Sequence, residues 1–280
     1  MIMLDILLEP FQFDFMVKGL LITVIVSIPM AFLSCFLVLK GWALLGDALS
    51  HAVFPGVVIA YMVGLPFAVG AFGAGIFTAM VTGFLQANSR VKQDTILGIV
   101  FSGMFALGLV LVTTIESDVH LTHILFGSLL GVSWNDVLST LGISVFITVI
   151  LSIKWRDFQL FIFDPIEAKA VGLTLWILHY GLLIMISLAI VAALKSVGII
   201  LSISLLIAPG AIAFLLTRKL SHMVLIAVSL GVVVSFFGIY ASFFFDSSPA
   251  ATIVVFETTI FILVFIWHSL KNRRNTLIEE

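Results

Sequence analysis

Nine apolar stretches of roughly twenty residues follow one another along this chain. Reading each run against its polar breaks places them at 18–39, 43–62, 68–86, 95–115, 138–153, 177–195, 198–216, 223–244 and 249–270. A helix rises 1.5 Å per residue, so about twenty residues cross the ~30 Å hydrocarbon core of a bilayer. Inside that core each backbone N–H and C=O must find its partner within the segment, which selects the α-helix. The 280 residues are 62% hydrophobic and only 10% charged, against roughly 25% charged in soluble domains. The expected architecture is an all-α, polytopic membrane protein with eight or nine transmembrane helices, the lower number resulting if two neighbours merge. It reads as one transmembrane domain over residues 1–280. About 18–270 are embedded in lipid and 271–280 form a tail. No nucleic-acid partner is expected.

The charges say how such a chain is oriented. Basic residues cluster at Lys40, at Arg90 and Lys92, at Lys154, Arg156 and Lys169, at Arg218 and Lys219, and at Lys271, Arg273 and Arg274. One threading puts these 11 of the 13 on a single side and leaves Lys18 and Lys195 elsewhere. Cytoplasmic loops carry the excess of Lys and Arg, so the C-terminus is expected inside and the N-terminus outside. The first residues carry Asp5, Glu9 and Asp14 instead of a basic start and a small-residue cleavage pattern, so no cleavable leader is expected. The single cysteine, Cys35, offers neither a disulfide nor a thiolate cluster.

Two ionisable residues, Asp47 and His51, interrupt the second apolar run, Trp42-Ala-Leu-Leu-Gly-Asp-Ala-Leu-Ser-His-Ala-Val-Phe-Pro-Gly. A charge in mid-helix costs about 2.5–3.5 kcal/mol on insertion scales, and such residues mark ion pathways or relays. Positions i and i+4 share one helix face about 6 Å apart. A carboxylate and an imidazole there make half a site for a divalent transition metal. The plainer reading is a buried Asp–His hydrogen bond tying two helices together. If the helix starts near Trp42, His51 falls close to the bilayer midplane, where alternating access places transport sites. Pro55-Gly56, one turn on, is expected to loosen the helix.

Three features complete the reading of the residues. Asp164-Pro165-Ile166-Glu167 has an N-cap aspartate, a first-turn proline and an early acid, and Gly172 is a natural stop. The result is a short helix on the basic side, with Phe163, Ile166, Ala170 and Val171 free for contact; it either links two spans or docks a partner. The apolar segment from His123 to Gly131 is too short to cross and reads as a re-entrant or surface helix. No Gly-x-x-x-x-Gly-Lys-Ser/Thr loop exists, so any ATP-driven motor must sit on another polypeptide.

Several blocks of this chain resemble the zinc/manganese/iron class of ABC-transporter membrane permeases. The most specific runs from Gly46-Asp47-Ala48-Leu49-Ser50-His51-Ala52-Val53 to Pro55-Gly56. It is followed in order by Asp94-Thr95-Ile96-Leu97-Gly98-Ile99, His123-Ile124-Leu125-Phe126-Gly127, and Phe163-Asp164-Pro165 through Ala170-Val171-Gly172. The last blocks are Val197-Gly198-Ile199-Ile200-Leu201 and Leu205-Leu206-Ile207-Ala208-Pro209-Gly210-Ala211. The resemblance implies a multi-pass protein of the bacterial cytoplasmic membrane, paired with a second copy or a paralogous permease. It also implies two cytoplasmic ATPase subunits and an extracytoplasmic metal-binding protein. Asp47 and His51 become a metal checkpoint, with no permanently bound cofactor and Mn2+, Fe2+ or Zn2+ as cargo. The segment 164–172 becomes the coupling helix to the ATPase, through Asp164, Pro165, Glu167, Ala168, Ala170 and Gly172.

Weaker metal candidates are His120 and His123, three apart and preceded by Glu116 and Asp118, and Glu257 in the last span. The first two also read as a solvated outer loop, and Glu257 as a buried group paired with a backbone or hydroxyl group such as that of Thr258. A proton-coupled secondary transporter is the alternative, because intramembrane Asp/His pairs also relay protons; inverted repeats expected of many such proteins are not visible. A metalloenzyme would need more ligands and a His-Glu-x-x-His core, which is missing. Carboxylate and imidazole suit all three metals. The acidic outer segment, without a long His-rich loop, leans towards manganese or iron.

Overall fold

In the computed structural model the described residues, 7–114 and 131–279, are helices joined by short turns, and no strand occurs among them. A short 3-10 turn, Glu9–Gln12, leads into α1 (Asp14–Lys40). The second apolar run is divided in two, α2 (Ala43–Ala52) and α3 (Phe54–Val63). Then come α4 (Phe67–Asn88), α5 (Gln93–Thr113) and α6 (Trp134–Ile153). Two short helices follow, α7 (Trp155–Phe163) and α8 (Pro165–Ala170). The chain ends with α9 (Leu175–Leu216), α10 (Leu220–Phe244) and α11 (Pro249–Glu279).

α9 has 42 residues, about 63 Å if straight and twice what a bilayer needs. It doubles back at Gly198, whose φ of 80° and ψ of 176° only glycine adopts without strain. The packing proves the reversal. Near the start of α9, His179 lies 5.1 Å from Trp42, ring centre to ring centre. Near its end, Gly210 donates its N–H to Ser34 Oγ at 2.9 Å. Trp42 and Ser34 belong to the same end of α1 and its exit turn, so both ends of α9 lie there too. Counting its halves separately, and α2–α3 together, nine helices among the described residues are long and apolar enough to cross a membrane. These match the expected nine segments to within a few residues, apart from the break in the second.

α1 is the core of the bundle. Residues from Ile22 to Leu37 are largely buried, packed by α9, α10 and α6. Ser34 Oγ also donates to the Ile207 carbonyl, which binds α1 to the Pro209 segment of α9. α5 and α11, by contrast, leave most of their apolar surface open, as lipid-facing helices do.

The bundle has two chemically different ends. At one, Lys40 lies 4.1 Å above the Phe161 ring, and Trp155 packs on Phe32 and Phe36. Lys154 and Arg156 flank Trp155 there, and Arg218 shares a cavity with Leu39 and Phe163. Gly83 packs against His179 beside Trp42, which brings the α4 end that precedes Arg90 and Lys92 to the same face. At the other end, Lys18 pairs with Asp14 and lies 5.5 Å from the Trp134 ring. Tyr240 there donates to the Leu7 carbonyl at 3.0 Å. α6 enters at this end through a reciprocal capping box: Ser133 Oγ accepts from the Asp136 N–H, and Asp136 accepts from the Ser133 N–H.

Candidate functional site

The polar pair lies on α2, just before the helix breaks. Pro55 has no N–H to return to the carbonyl four residues back, that of His51, so the ladder is interrupted one turn after the pair. At Val53 the chain caps α2 on the Leu49 and His51 carbonyls and starts α3 with a proline in its first turn. Just beyond, α3 and α4 cross so closely that a Cβ on Gly56 would stand 2.1 Å from the Gly70 carbonyl oxygen. Only glycines allow that approach, and it fixes the break in place.

Asp47 Oδ1 and His51 Nε2 are 3.5 Å apart on one face of α2. That is an electrostatic contact and too long for a good hydrogen bond. Both side chains remain open on the isolated chain, His51 at 31% and Asp47 at 42%. Leu44, one turn before, is exposed on the same stripe, whereas Leu45, Ala48, Leu49 and Ser50 pack inward. The pair therefore does not tie α2 to a neighbour, as a purely structural Asp–His bond would. Its surroundings are aromatic: Phe101 and Phe105 of α5 stand 5.3 and 5.5 Å from the imidazole, and Phe54 extends the wall. Low-polarity walls strengthen any electrostatic interaction made by the two polar groups. By helix rise, His51 is about 12 Å in from the start of α2.

No third His, Cys, Asp or Glu joins the pair to form a metal-binding group among the described residues. Glu257 is fully buried on α11, where Ser204 of α9 donates to one carboxyl oxygen; the other has no hydrogen-bond partner among the described residues. His120 and His123 lie outside the described residues.

The helix 164–172 is built as its residues dictate. Asp164 accepts from the Ile166 and Glu167 N–H groups at 3.0 and 2.9 Å, and Pro165 opens the helix. Gly172, at φ 89°, closes it, with Leu173 N–H returning to the Ala168 carbonyl. Ile166 is 84% exposed and Val171 68%, while Ala168 is completely buried. The outward face is thus Phe163, Ile166, Ala170 and Val171. Ala168, which the resemblance placed among the coupling residues, instead turns inward, where its small side chain lets α8 sit tightly on its own protein.

The ABC 3 transport family matches residues 12–268, nearly the whole bundle. The chain belongs to this family. It is 47% identical over 263 residues to the chelated iron transport system membrane protein YfeD of Yersinia pestis, covering 94% of this chain and 89% of that one. It is 45% identical over 260 residues to the manganese transport system membrane protein MntB of Synechocystis, covering 93% and 85%. Among solved structures, PsaBC from Streptococcus pneumoniae in complex with Fab superposes with a TM-score of 0.84 at 33% identity, over 94% of this chain and 95% of that one. Membership makes the protein a multi-pass permease of the cytoplasmic membrane, from a family of metal and chelated-iron transport systems.

Proposed function

We propose that this chain is the membrane permease of an ABC importer for manganese or iron(II), with Asp47 and His51 as the residues the metal passes. The observation that carries this reading is the half-exposed carboxylate–imidazole pair on a broken helix inside the bundle. Two ligands do not complete a transition-metal shell. A second permease, identical or paralogous, facing the first across the exposed stripe of α2 would supply two more and so close a four-ligand site. The names of the relatives support manganese and iron as cargo; zinc has the same ligand preferences and is the third candidate. The metal is cargo, and no permanently bound cofactor is part of the proposal.

The basic end is the cytoplasmic end, which puts the C-terminus inside and the N-terminus outside. Two ATPase subunits dock there on α8 and drive transport, and an extracytoplasmic metal-binding protein delivers the ion to the other end. The test is uptake of radiolabelled manganese, iron(II) and zinc into vesicles carrying the intact operon. Uptake should need ATP, stop with orthovanadate, and survive collapse of the proton gradient at constant ATP. Uptake that follows the proton gradient would show a secondary transporter instead.

A further inference from the structure

Away from the polar pair, the basic end contains a cavity of about 550 Å³ where α9 ends, α10 begins and α11 leaves the bundle. Its lining joins an apolar part, with Phe214, Leu216, Leu220 and Met223, to the cations Arg218 and Lys271. Neither cation forms an ion pair among the described residues. Lys271 lies 5.0 Å from the ring of Trp267, which also lines the cavity. Tryptophan beside lysine at a span end marks the boundary between hydrocarbon and headgroups. α10 starts at this place with no side-chain cap, and Thr217 Oγ1 has already taken the Lys219 N–H. The amides of the first α10 turn, with the positive end of a 25-residue helix, therefore add to the local preference for an anion.

We propose that this cavity is a binding site for one anionic glycerophospholipid. Its phosphodiester is held between Arg218 and Lys271 at the start of α10, and an acyl chain runs over Phe214, Leu216 and Met223. A free anion would use the cations and leave the apolar part uncovered. A protein segment would need its own acid at this depth, beside hydrocarbon. A lipid satisfies both halves with one molecule, and basic pockets between helices at this level are a known chemistry for anionic headgroups. The bound lipid fills the seam joining the last three spans to α1 and Phe163, next to the docking helix.

Native mass spectrometry of the purified transporter complex tests this without any transport step, so it stands or falls separately from the import reading. The complex is exposed to equal phosphatidylglycerol and phosphatidylcholine. The wild type should keep one phosphatidylglycerol per permease, and the R218Q/K271Q double variant should lose that preference by about 30-fold. The charge-conserving R218K/K271R variant should keep the lipid, which separates loss of charge from misfolding. A cysteine introduced in place of Phe214 should be shielded from a thiol reagent by added phosphatidylglycerol. Equal lipid retention in wild type and R218Q/K271Q overturns the proposal. So does displacement of the lipid by inorganic phosphate, which would reveal a free-anion site, or shielding of the cysteine by the ATPase with lipid having no effect.

Discussion

Asp47 and Glu257 both place a carboxylate on a membrane-spanning segment, and their settings are opposite. Asp47 sits on a stripe open at the surface of the chain, beside an imidazole and facing a wall of phenylalanines. Glu257 is sealed within α9 and α11, with the Ser204 hydroxyl as its hydrogen-bond donor. A group that must exchange partners with a passing ion needs an open side and a ligand pair, and only Asp47 has both. A sealed carboxyl with one hydroxyl donor fixes how two helices meet. In the proposed function the same carboxylate chemistry serves passage in one helix and packing in the other, and accessibility is what distinguishes the two settings.

The largest expected effect breaks the open site. Asp47→Asn or His51→Ala should reduce metal uptake by ~100-fold or more at equal expression, because even losing a partner that merely supports a metal ligand costs ~10–100-fold. Vesicle uptake with immunoblotting of the membranes measures it. Near-normal uptake in either variant would reduce the pair to a helix-stabilising contact and remove the contrast with Glu257.

A second effect, about tenfold, tests whether accessibility also selects the docking face. A charge placed by Ile166→Glu should weaken ATPase attachment or separate ATP hydrolysis from uptake, since exposed apolar contacts at an interface centre lose most when charged. A cysteine at Ile166 should cross-link to the ATPase in membranes, whereas one at buried Ala168 should not. Efficient cross-linking from Ala168 alone would mean that α8 turns over in the complex.

Third comes the close crossing that holds the open site. Gly56→Ala puts a methyl where the Gly70 carbonyl oxygen stands, so α3 and α4 must move apart. The expected cost is about 1–3 kcal/mol, read as a lower melting temperature of the purified permease, with a several-fold drop in uptake. If melting is unchanged while uptake falls, the crossing matters for motion more than for packing.

Much of this was legible in the sequence because membrane spans and caps are local. Apolar length gave the nine segments, and Asp164, Pro165 and Gly172 gave α8 with its caps. The i, i+4 spacing put Asp47 and His51 on one face. Two things were not local. The inward turn of Ala168 depends on how α8 lies against the bundle, which its place in the coupling segment does not reveal. The partner of Glu257 depends on which face of α11 meets Ser204, 53 residues away, while the neighbouring Thr258 hydroxyl donates to the Val254 carbonyl instead. A hydropathy pattern that is apolar all round carries no information about which face turns inward.

The smallest expected effect concerns Glu257 and closes the contrast from its other side. Glu257→Gln keeps the length of the side chain and an oxygen that can accept from Ser204, while removing the ionisable group. If the carboxyl only joins α11 to α9, uptake should stay within about twofold of wild type, and melting should shift by no more than the ~1 kcal/mol of a typical hydrogen bond. Glu257→Leu should cost more in stability, because it leaves the part-buried Ser204 hydroxyl without this partner; that penalty is at most about 1–3 kcal/mol. Its uptake per folded molecule should still be close to normal. The informative outcome is therefore a split: stability follows loss of the hydrogen bond, and transport follows neither substitution. A collapse of uptake in Glu257→Gln at unchanged melting temperature would place this second carboxylate in the pathway, and accessibility in the isolated chain would then no longer separate the two.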